Sequence, residues 1–244
     1  MRKALLISLM FSSLATPANS QSIVDRDRDG IKGPVESVRV KKTTASDEDG
    51  IRSETLITLT HVVTYDKPGN RIELALYDGN GFLSRRIAHT YDPETNKRSG
   101  MITYDSYNSI VRKVFDVHGK NGFEKTRTIE DFNEDGTLYR KTVLTFDSLG
   151  DLSELAEYRP DGTLLRQERT PLKGPKLDHV VASHKRPSEA LDQLVSFSRG
   201  VAEYSDPDSH GNWTRGVTAG SSSTYSSGKK IKTTEVIYRE FTYY

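Results

Sequence analysis

Cysteine is absent from this chain of 244 residues, and so are the usual signatures of enzymes and membrane spans. Without cysteine there is no disulfide, no thiol nucleophile and no lipid attached through a thiol. The sequence has no Gly-x-Ser-x-Gly elbow, no His-Glu-x-x-His pair and no phosphate-binding loop. Beyond residue 20, no apolar run is long enough for a membrane-spanning helix. We therefore expect a non-enzymatic protein that has no cofactor and no membrane span.

An excess of charge of one sign is also missing. Once a signal peptide containing Arg2 and Lys3 is removed, 33 basic side chains face 34 acidic ones, a net charge of −1. Such a balance provides no general attraction to a polyanion, so we expect no nucleic-acid partner. The hydrophobic fraction is only 34%. A low apolar content favours a thin, curved sheet with a modest core over a thick sandwich.

The first twenty residues have the layout of a secretory signal peptide. Met1-Arg2-Lys3 is a short basic start, Ala4 to Leu14 is a mostly apolar run, and Ala18-Asn19-Ser20 offers small residues for cleavage before Gln21. The run is too short to span a bilayer. We therefore predict an exported chain, periplasmic or extracellular, that is soluble after cleavage.

A short phrase, aromatic-Asp-x-x-Gly, recurs along the middle of the chain. An Asp that opens a turn accepts hydrogen bonds from backbone N–H groups ahead of it, and a Gly three residues later supplies a positive φ. Repetition at a short period indicates a repeat architecture. The residues assigned to these repeat turns are Tyr65, Asp66, Gly69, Tyr77, Asp78, Phe115, Asp116, Gly119, Phe146, Asp147, Gly150 and Gly211.

Short runs rich in β-branched and aromatic residues separate the turns. Arg71 to Leu76 and Thr137 to Thr145 both alternate partly with a period of two, as half-buried strands do. The aromatic positions recur every 11 to 17 residues, which fits one strand and one turn per unit. The predicted fold is all-β: an antiparallel meander of repeated hairpins forming a curved or partly curled sheet.

These phrases resemble the YD repeat, also called the RHS repeat, of secreted bacterial proteins. The resemblance covers roughly residues 61 to 170, with an echo at 204 to 244 that includes Gly211-Asn212-Trp213-Thr214. It implies a strip of β-sheet that curls, and in the largest members of the family a shell around a toxic C-terminal domain. This chain is too short to enclose such a domain, so the resemblance implies the fold and no catalytic residue.

The expected organisation has five parts: a signal peptide at 1–20, a flexible leader at 21–33, N-terminal strands with the repeat sheet at 34–170, an irregular segment at 171–200, and further strands of the same sheet at 201–244. The irregular segment contains one short helix near 188–196, because Ser188 suits an N-cap and Leu191, Leu194 and Val195 share a helical face. A Ser-rich loop is expected from Ser221 to Gly228.

The leader offers a weak calcium candidate. Asp25, Asp27 and Asp29 alternate ahead of a Gly, and Glu36 stands at the twelfth position, as in a calcium-binding loop. Pro34 falls inside the loop, however, and no flanking helices are apparent. An exposed acidic and basic leader without a metal is the alternative.

Exposed aromatic side chains are the best functional lead. The chain has twelve Tyr, eight Phe and one Trp. Most should form a packed ladder across the sheet, while Trp213, Tyr243 and Tyr244 are the candidate ligand-binding exceptions. Two functions follow: a binding or scaffold module for another macromolecule, or a carbohydrate-binding module for cell-wall or surface glycan. The expected partner is thus a protein or a glycan of the cell envelope.

Overall fold

The computed structural model describes residues 24–48, 51–54, 57–119, 124–169, 201–226 and 229–244. In these ranges, fourteen strands form a single antiparallel sheet, accompanied by one short helix. The all-β prediction is confirmed. The helix expected near 188–196 lies outside the described residues.

The elements follow one another along the chain as α1 (Asp25–Arg28), β1 (Val35–Glu48), β2 (Ile51–Glu54), β3 (Thr58–Tyr65), β4 (Arg71–Tyr77), β5 (Leu83–Tyr91), β6 (Arg98–Asp105), β7 (Ile110–His118), β8 (Glu124–Phe132), β9 (Leu138–Phe146), β10 (Leu152–Tyr158), β11 (Leu164–Arg169), β12 (Val201–Pro207), β13 (Trp213–Ser226) and β14 (Lys229–Tyr243).

Sheet order follows chain order over most of the molecule. Strands β3 to β11 form an uninterrupted meander, and β1 lies beside β3. The last strand, β14, pairs with the other edge of β1, and β13 and β12 continue outward from it. Strand β2 pairs only with β1. Within the described ranges, β11 and β12 are the two ends of the sheet and do not pair with each other, so the sheet is open.

The repeat turns have one geometry. At Asp147, a carboxylate oxygen accepts the N–H groups of Leu149 at 2.8 Å and Asp151 at 2.9 Å, while Gly150 donates to the Asp147 carbonyl at 3.1 Å with φ of 87°. This is a type I turn closed by a left-handed residue. The aspartates at the same position of other turns act alike: Asp66, Asp78, Asp105 and Asp208.

Every hairpin of the meander also carries a β-bulge. Tyr77 pairs with Leu83, but the preceding Leu76 pairs with Arg85, so Ser84 is an extra residue on β5. The same shift recurs in eight successive hairpins and bends each strand shortly after its turn. The extra residues are Ile72, Ser84, Ser99, Val111, Lys125, Tyr139, Ser153 and Leu165.

The core follows one face of the sheet. Val63, Leu74 and Ile87 pair directly across β3, β4 and β5 and are 0 to 2% exposed. Farther along, Ile129 and Leu155 belong to the same cluster. Because the described strands form one sheet and no second layer, we infer that the repeated bulges curl the sheet with this face inward.

One predicted turn is a strand. Phe115 and Asp116 were expected to open a turn ending at Gly119, but they lie in β7, which continues to His118. Asp116 is paired in register with Arg127 and accepts a hydrogen bond from it at 2.8 Å, with both side chains about 10% exposed. In the strand, Asp116 forms a nearly buried ion pair with Arg127. In a turn the same carboxylate would be exposed to solvent.

The predicted Ser-rich loop is also a strand over most of its length. Ser221 to Ser226 pair with Thr234 to Lys229 of β14 and complete β13. Hydrogen bonding to β14 is available to any backbone, so the serines, which have no strong strand preference of their own, adopt the conformation that the neighbouring strand imposes.

Candidate functional site

The leader packs on the end of the sheet where β3 and β4 are joined. We call residues 24–33 the N-terminal strap. Its helix, α1, donates the Arg26 N–H to the Gly69 carbonyl at 2.9 Å, and Val24 and Arg26 fill the space where a Cβ of Gly69 would point. Over these residues the expected flexible leader is corrected to a docked segment, because Asp25, Asp29 and Ile31 are buried.

A buried ionic network anchors the strap. Arg71 of β4 donates to both carboxylate oxygens of Asp29, at 2.9 and 3.0 Å, and the Tyr65 hydroxyl donates to the same carboxylate. Asp25 accepts the Arg71 N–H at 3.1 Å and a bond from the Tyr91 hydroxyl. Arg98 stands 3.5 Å from Asp25. Two carboxylates of the strap thus meet two arginines and two tyrosines of the sheet.

Burial and charge act against each other on the acidic groups of this network. Burial raises the pKa of Asp25, but Arg98 with Tyr91 and Arg71 outweighs it and holds the pKa below its usual value. At Asp29 burial prevails over Arg71 and Tyr65, and the pKa is raised. Burial and the neighbouring Asp29 raise the pKa of Tyr65, so its hydroxyl stays a donor.

The calcium candidates are not brought together. Asp25 and Asp29 turn toward arginine and tyrosine side chains of the sheet, whereas Asp27 and Glu36 are exposed. Within the described part of the chain, no group of three or more His, Cys, Asp or Glu is placed to hold a metal ion. The carboxylates that alternate in sequence serve here as anchors of the strap.

The far end of the strap docks on the last repeat turn. Asn212 is 3% exposed, accepts the Lys32 N–H at 2.7 Å and donates to the Lys32 carbonyl at 2.9 Å. Asn70, the equivalent residue of the first turn, is 4% exposed and pairs its amide with that of Asn96. Both turns contain the phrase Gly-Asn, and in each the Asn side chain bonds a residue outside its own turn. This phrase is the sequence signal that could have indicated such contacts.

The aromatic candidates lie at the same end of the sheet. Trp213 and Phe241 sandwich the guanidinium of Arg239, whose central carbon is 4.2 and 4.7 Å from the two ring centres. Tyr204 tilts against Trp213 with ring centres 5.1 Å apart. Arg239 is 3% exposed, and burial lowers its pKa to about 10. Trp213 therefore packs against an internal cation on at least one side.

The two terminal tyrosines differ. Tyr243 stacks on His210 with ring centres 4.1 Å apart, and its hydroxyl bonds to Asp208 and to Asn212. Burial and Asp208 raise its pKa to about 12. Tyr244 is 49% exposed, although its hydroxyl donates to the Tyr65 carbonyl. Of the three predicted ligand-binding residues, Tyr243 is committed to the packing of the turn, whereas the half-exposed ring of Tyr244 has the Lys67 ammonium 5.9 Å from its centre.

The edges of the sheet offer a second candidate site. Strand β11 ends the sheet with three charged side chains among its last four residues, Arg166 to Arg169, and carries the Leu165 bulge. Strand β12 has Pro207 and a left-handed Asp206 with φ of 54°. Charges, bulges and proline are the features that keep natural sheet edges from pairing. Both end strands are protected in this way.

The outer edge of β13 lacks that protection. Strand β12 pairs with β13 only from Trp213 to Thr218, and no described strand pairs with the outer side of Ser221 to Ser226. From Gly216 to Gly228 the sequence contains no charged residue and no proline. We call residues 221–226 the neutral edge of β13.

No protein-family model matches this chain, and no curated protein matches it. Among solved structures, a porin-like protein from Bacteroides uniformis is 11% identical with a TM-score of 0.35, covering 86% of this chain and 99% of the other. The structure of TcdB2-TccC3-TEV is 12% identical with a TM-score of 0.27, over 72% of this chain and only 11% of the other.

A putative outer membrane lipoprotein-sorting protein domain from Vibrio parahaemolyticus is 9% identical with a TM-score of 0.17, covering 89% of this chain and 90% of the other. Over the described ranges the fold alone defines the class, an open, single-sheet antiparallel β-protein. Over the described ranges, the one helix is far too short to cross a membrane.

Proposed function

We propose that this chain is a non-enzymatic, exported YD-repeat protein that acts as a binding or scaffold module for another protein, with the neutral edge of β13 as its contact. Several repeat turns share the Asp-centred geometry that the motif predicts, which supports the YD-repeat assignment. The observation that carries the binding function is the contrast between one neutral edge and two protected ones. Strand addition gives affinity through main-chain hydrogen bonds and needs no deep pocket.

The rest of the molecule suits a rigid support for such an edge. The strap and its ionic network fix the end of the sheet to which β14 and β13 belong, because Asn212 links Lys32 to Tyr243 of β14. This anchor holds the Trp213 end of β13.

Capture from an envelope extract with matched variants tests this function. The chain from residue 21 onward serves as bait, beside the variant Ser223→Lys/Thr224→Lys, which charges the neutral edge of β13. The control Asn80→Lys/Leu149→Lys adds the same two charges at exposed turn tips. We expect a protein that binds wild type and control and is lost from the edge variant. Equal recovery by all three baits would contradict the proposal.

Carbohydrate binding is the second candidate, and Tyr204, Trp213 and Tyr244 favour it. Tyr204 is 47% exposed beside Trp213, and Tyr244 is 49% exposed, so open aromatic rings are available for stacking on sugars. Co-sedimentation with peptidoglycan and common insoluble polysaccharides tests this function, with Trp213→Ala and Tyr244→Ala as variants. Retention that both variants reduce supports the glycan function; no retention on any glycan of the panel contradicts it.

A further inference from the structure

Three successive hairpin turns lie side by side at the end of the sheet opposite the strap, because alternate turns of an antiparallel meander fall at the same end. We call them together the aromatic rim, which consists of residues 78–82, 105–109 and 133–137. Arg85 of β5 pairs in register with Asp105 of β6. Continued outward from this pair, the register sets Phe82 and Tyr107 at nearly the same height on neighbouring strands.

Two aromatic rings stand open on this rim. Tyr107 is 88% exposed and Phe82 is 71% exposed, the highest values of any aromatic side chain in the described structure. Within that part of the chain, neither ring contacts another ring or a cation. Their exposure shows that these rings contribute little to the packing of the sheet. Aromatic side chains are among the residues that most often anchor a partner at an interface.

The rim is also acidic. Its turns contain no basic residue and four acidic ones: Asp78, Asp105, Glu134 and Asp135. Two arginines of the adjoining strands are already bound, Arg86 to Glu73 at 3.2 Å and Arg112 to Asp131 at 2.6 Å. Arg85, exposed on β5, offsets one of the four acidic charges, so the rim stays negative. Such a surface attracts cations and repels phosphate groups and anionic lipids.

The turn aspartates keep one carboxylate oxygen for a partner. Oδ1 of Asp78 accepts the N–H of Phe82 at 2.9 Å, and Oδ1 of Asp105 accepts the N–H of Tyr107 at 2.9 Å. Within the described residues, nothing bonds Oδ2 of either aspartate. An open ring and an open carboxylate oxygen therefore belong to the same turn in both cases.

Elsewhere in the same hairpins, aromatic rings are covered by cations of the chain itself. The guanidinium carbon of Arg86 lies 3.9 Å from the ring centre of Tyr104, and the ammonium of Lys113 lies 5.2 Å from that of Phe132. Both rings precede a turn of the rim directly. A cation over an aromatic ring is thus a contact that this sheet uses repeatedly, and the two rim rings are left for a cation from outside.

We propose that the aromatic rim binds an extended, lysine- or arginine-rich segment of another protein. Its cations stack on Phe82 and Tyr107 and pair with the carboxylates of the three turns, since guanidinium and ammonium groups bind both. The rim runs from β4 to β9, about 20 Å, which an extended segment of about six residues spans. A neutral glycan would use the rings and leave the carboxylates without a counter-ion, so charge favours the cationic segment.

A labelled peptide of about eight residues that alternates Arg with Gly is long enough to span the rim. Fluorescence anisotropy measures its binding to the chain from residue 21. We expect Phe82→Ser/Tyr107→Ser to weaken binding about tenfold, because two cation–π contacts are lost. Leu149→Ser/Val117→Ser removes two exposed apolar side chains at the other end of the sheet and should leave binding unchanged.

Charge is tested on its own by Glu134→Lys, which should weaken binding at least about threefold. Added salt should weaken it further, since exposed charges are screened. A wild type that binds the Arg–Gly peptide no better than a Ser–Gly peptide overturns the inference, and so does an aromatic variant that binds as well as its control. Retention on an insoluble glycan that Phe82→Ser/Tyr107→Ser abolishes, without affinity for the peptide, would also overturn it.

This contact is separate from the one proposed on β13 and does not depend on it. Ser223→Lys/Thr224→Lys leaves the rim intact, so we expect that variant to bind the peptide like wild type. A captured protein that this variant loses, with no peptide binding by wild type, would leave the proposed function standing and overturn the rim. Peptide binding that needs the rim, with equal capture by all baits, would do the reverse.

Discussion

Arg71 and Asp29, 42 residues apart in sequence, form a nearly buried ion pair in which one guanidinium nitrogen bonds both carboxylate oxygens at 2.9 and 3.0 Å. Their side chains are 2% and 6% exposed. The pair joins a segment that precedes the sheet to the first strand of the repeat block. It explains why a stretch of alternating acidic and basic residues is docked.

Removing the acid of this pair should be costly. Asp29→Ala leaves the buried Arg71 without that carboxylate, and we expect the free energy of unfolding to fall by about 3–5 kcal/mol. Replacing both partners by apolar residues, as in Asp29→Leu/Arg71→Met, should cost less than the single change, since neither charge of this pair is left buried without the other. Urea unfolding measures both, with Asp27→Ala on the exposed side of α1 as control. A single variant as stable as that control would contradict the anchoring role.

The amide of Asn212 should hold the other end of the strap. Asn212→Ala removes a donor and an acceptor that bond Lys32 and leaves two part-buried backbone groups without them, at a cost of about 1–3 kcal/mol. Hydrogen exchange at the Lys32 amide should accelerate in this variant and stay unchanged in Ser209→Ala, an exposed residue of the same turn. Unchanged exchange at Lys32 in both variants would show that the strap is held elsewhere.

The chemistry of the repeat turns could be predicted from sequence because it is local. An Asp and a Gly three residues apart define most turns by themselves, and the structure places Asp66, Asp78 and Asp147 at the start of their turns. The turn at Asp105 was missed because Asn108 takes the left-handed position at φ of 64° where glycine was expected. Asn is the ordinary substitute for glycine there.

The rest depends on contacts between distant parts of the chain. Eight bulges each shift the alternation of inward and outward residues by one position, which is why the strands alternate only partly in sequence. The strap needs Arg71 and Asn212, which only the folded chain brings near it. In β13, Ser221 to Ser226 pair with β14, although the run of serines there predicted a loop.

His89 should make stability depend on pH. It is 6% exposed, neither ring nitrogen has a hydrogen-bond partner in the described structure, and burial lowers its pKa from 6.5 to about 3. In the unfolded state the imidazole takes up a proton as the pH falls through 6.5, whereas in the folded state it stays neutral until the pH approaches 3. Its contribution is therefore fully present above pH 6.5 and is lost as the pH falls from there toward about 3.

Between pH 7 and pH 5, the wild type should lose about 2 kcal/mol more stability than His89→Leu, which cannot titrate. Urea unfolding at the two pH values gives the difference. Met101→Leu, at the position paired with His89 on β6, should keep the wild-type dependence. Parallel losses in wild type and His89→Leu would show that the imidazole is not the source.

Gly100 lies in β6 opposite Phe115, where no side chain larger than hydrogen fits. A Cβ at this position would stand 2.6 Å from the Val114 carbonyl oxygen and 3.0 Å from the Thr90 hydroxyl. Because the first neighbour is backbone of the adjacent strand, it cannot move without disturbing the pairing of β6 with β7. Gly100→Ala should therefore lower the free energy of unfolding by about 1–3 kcal/mol.

Gly79→Ala, in a turn with nothing within 4 Å of the added atom, should change the free energy of unfolding by less than about 0.5 kcal/mol. Thermal or urea unfolding of the two variants decides the matter, and equal stabilities would mean that the strands at Gly100 are farther apart than the structure has them.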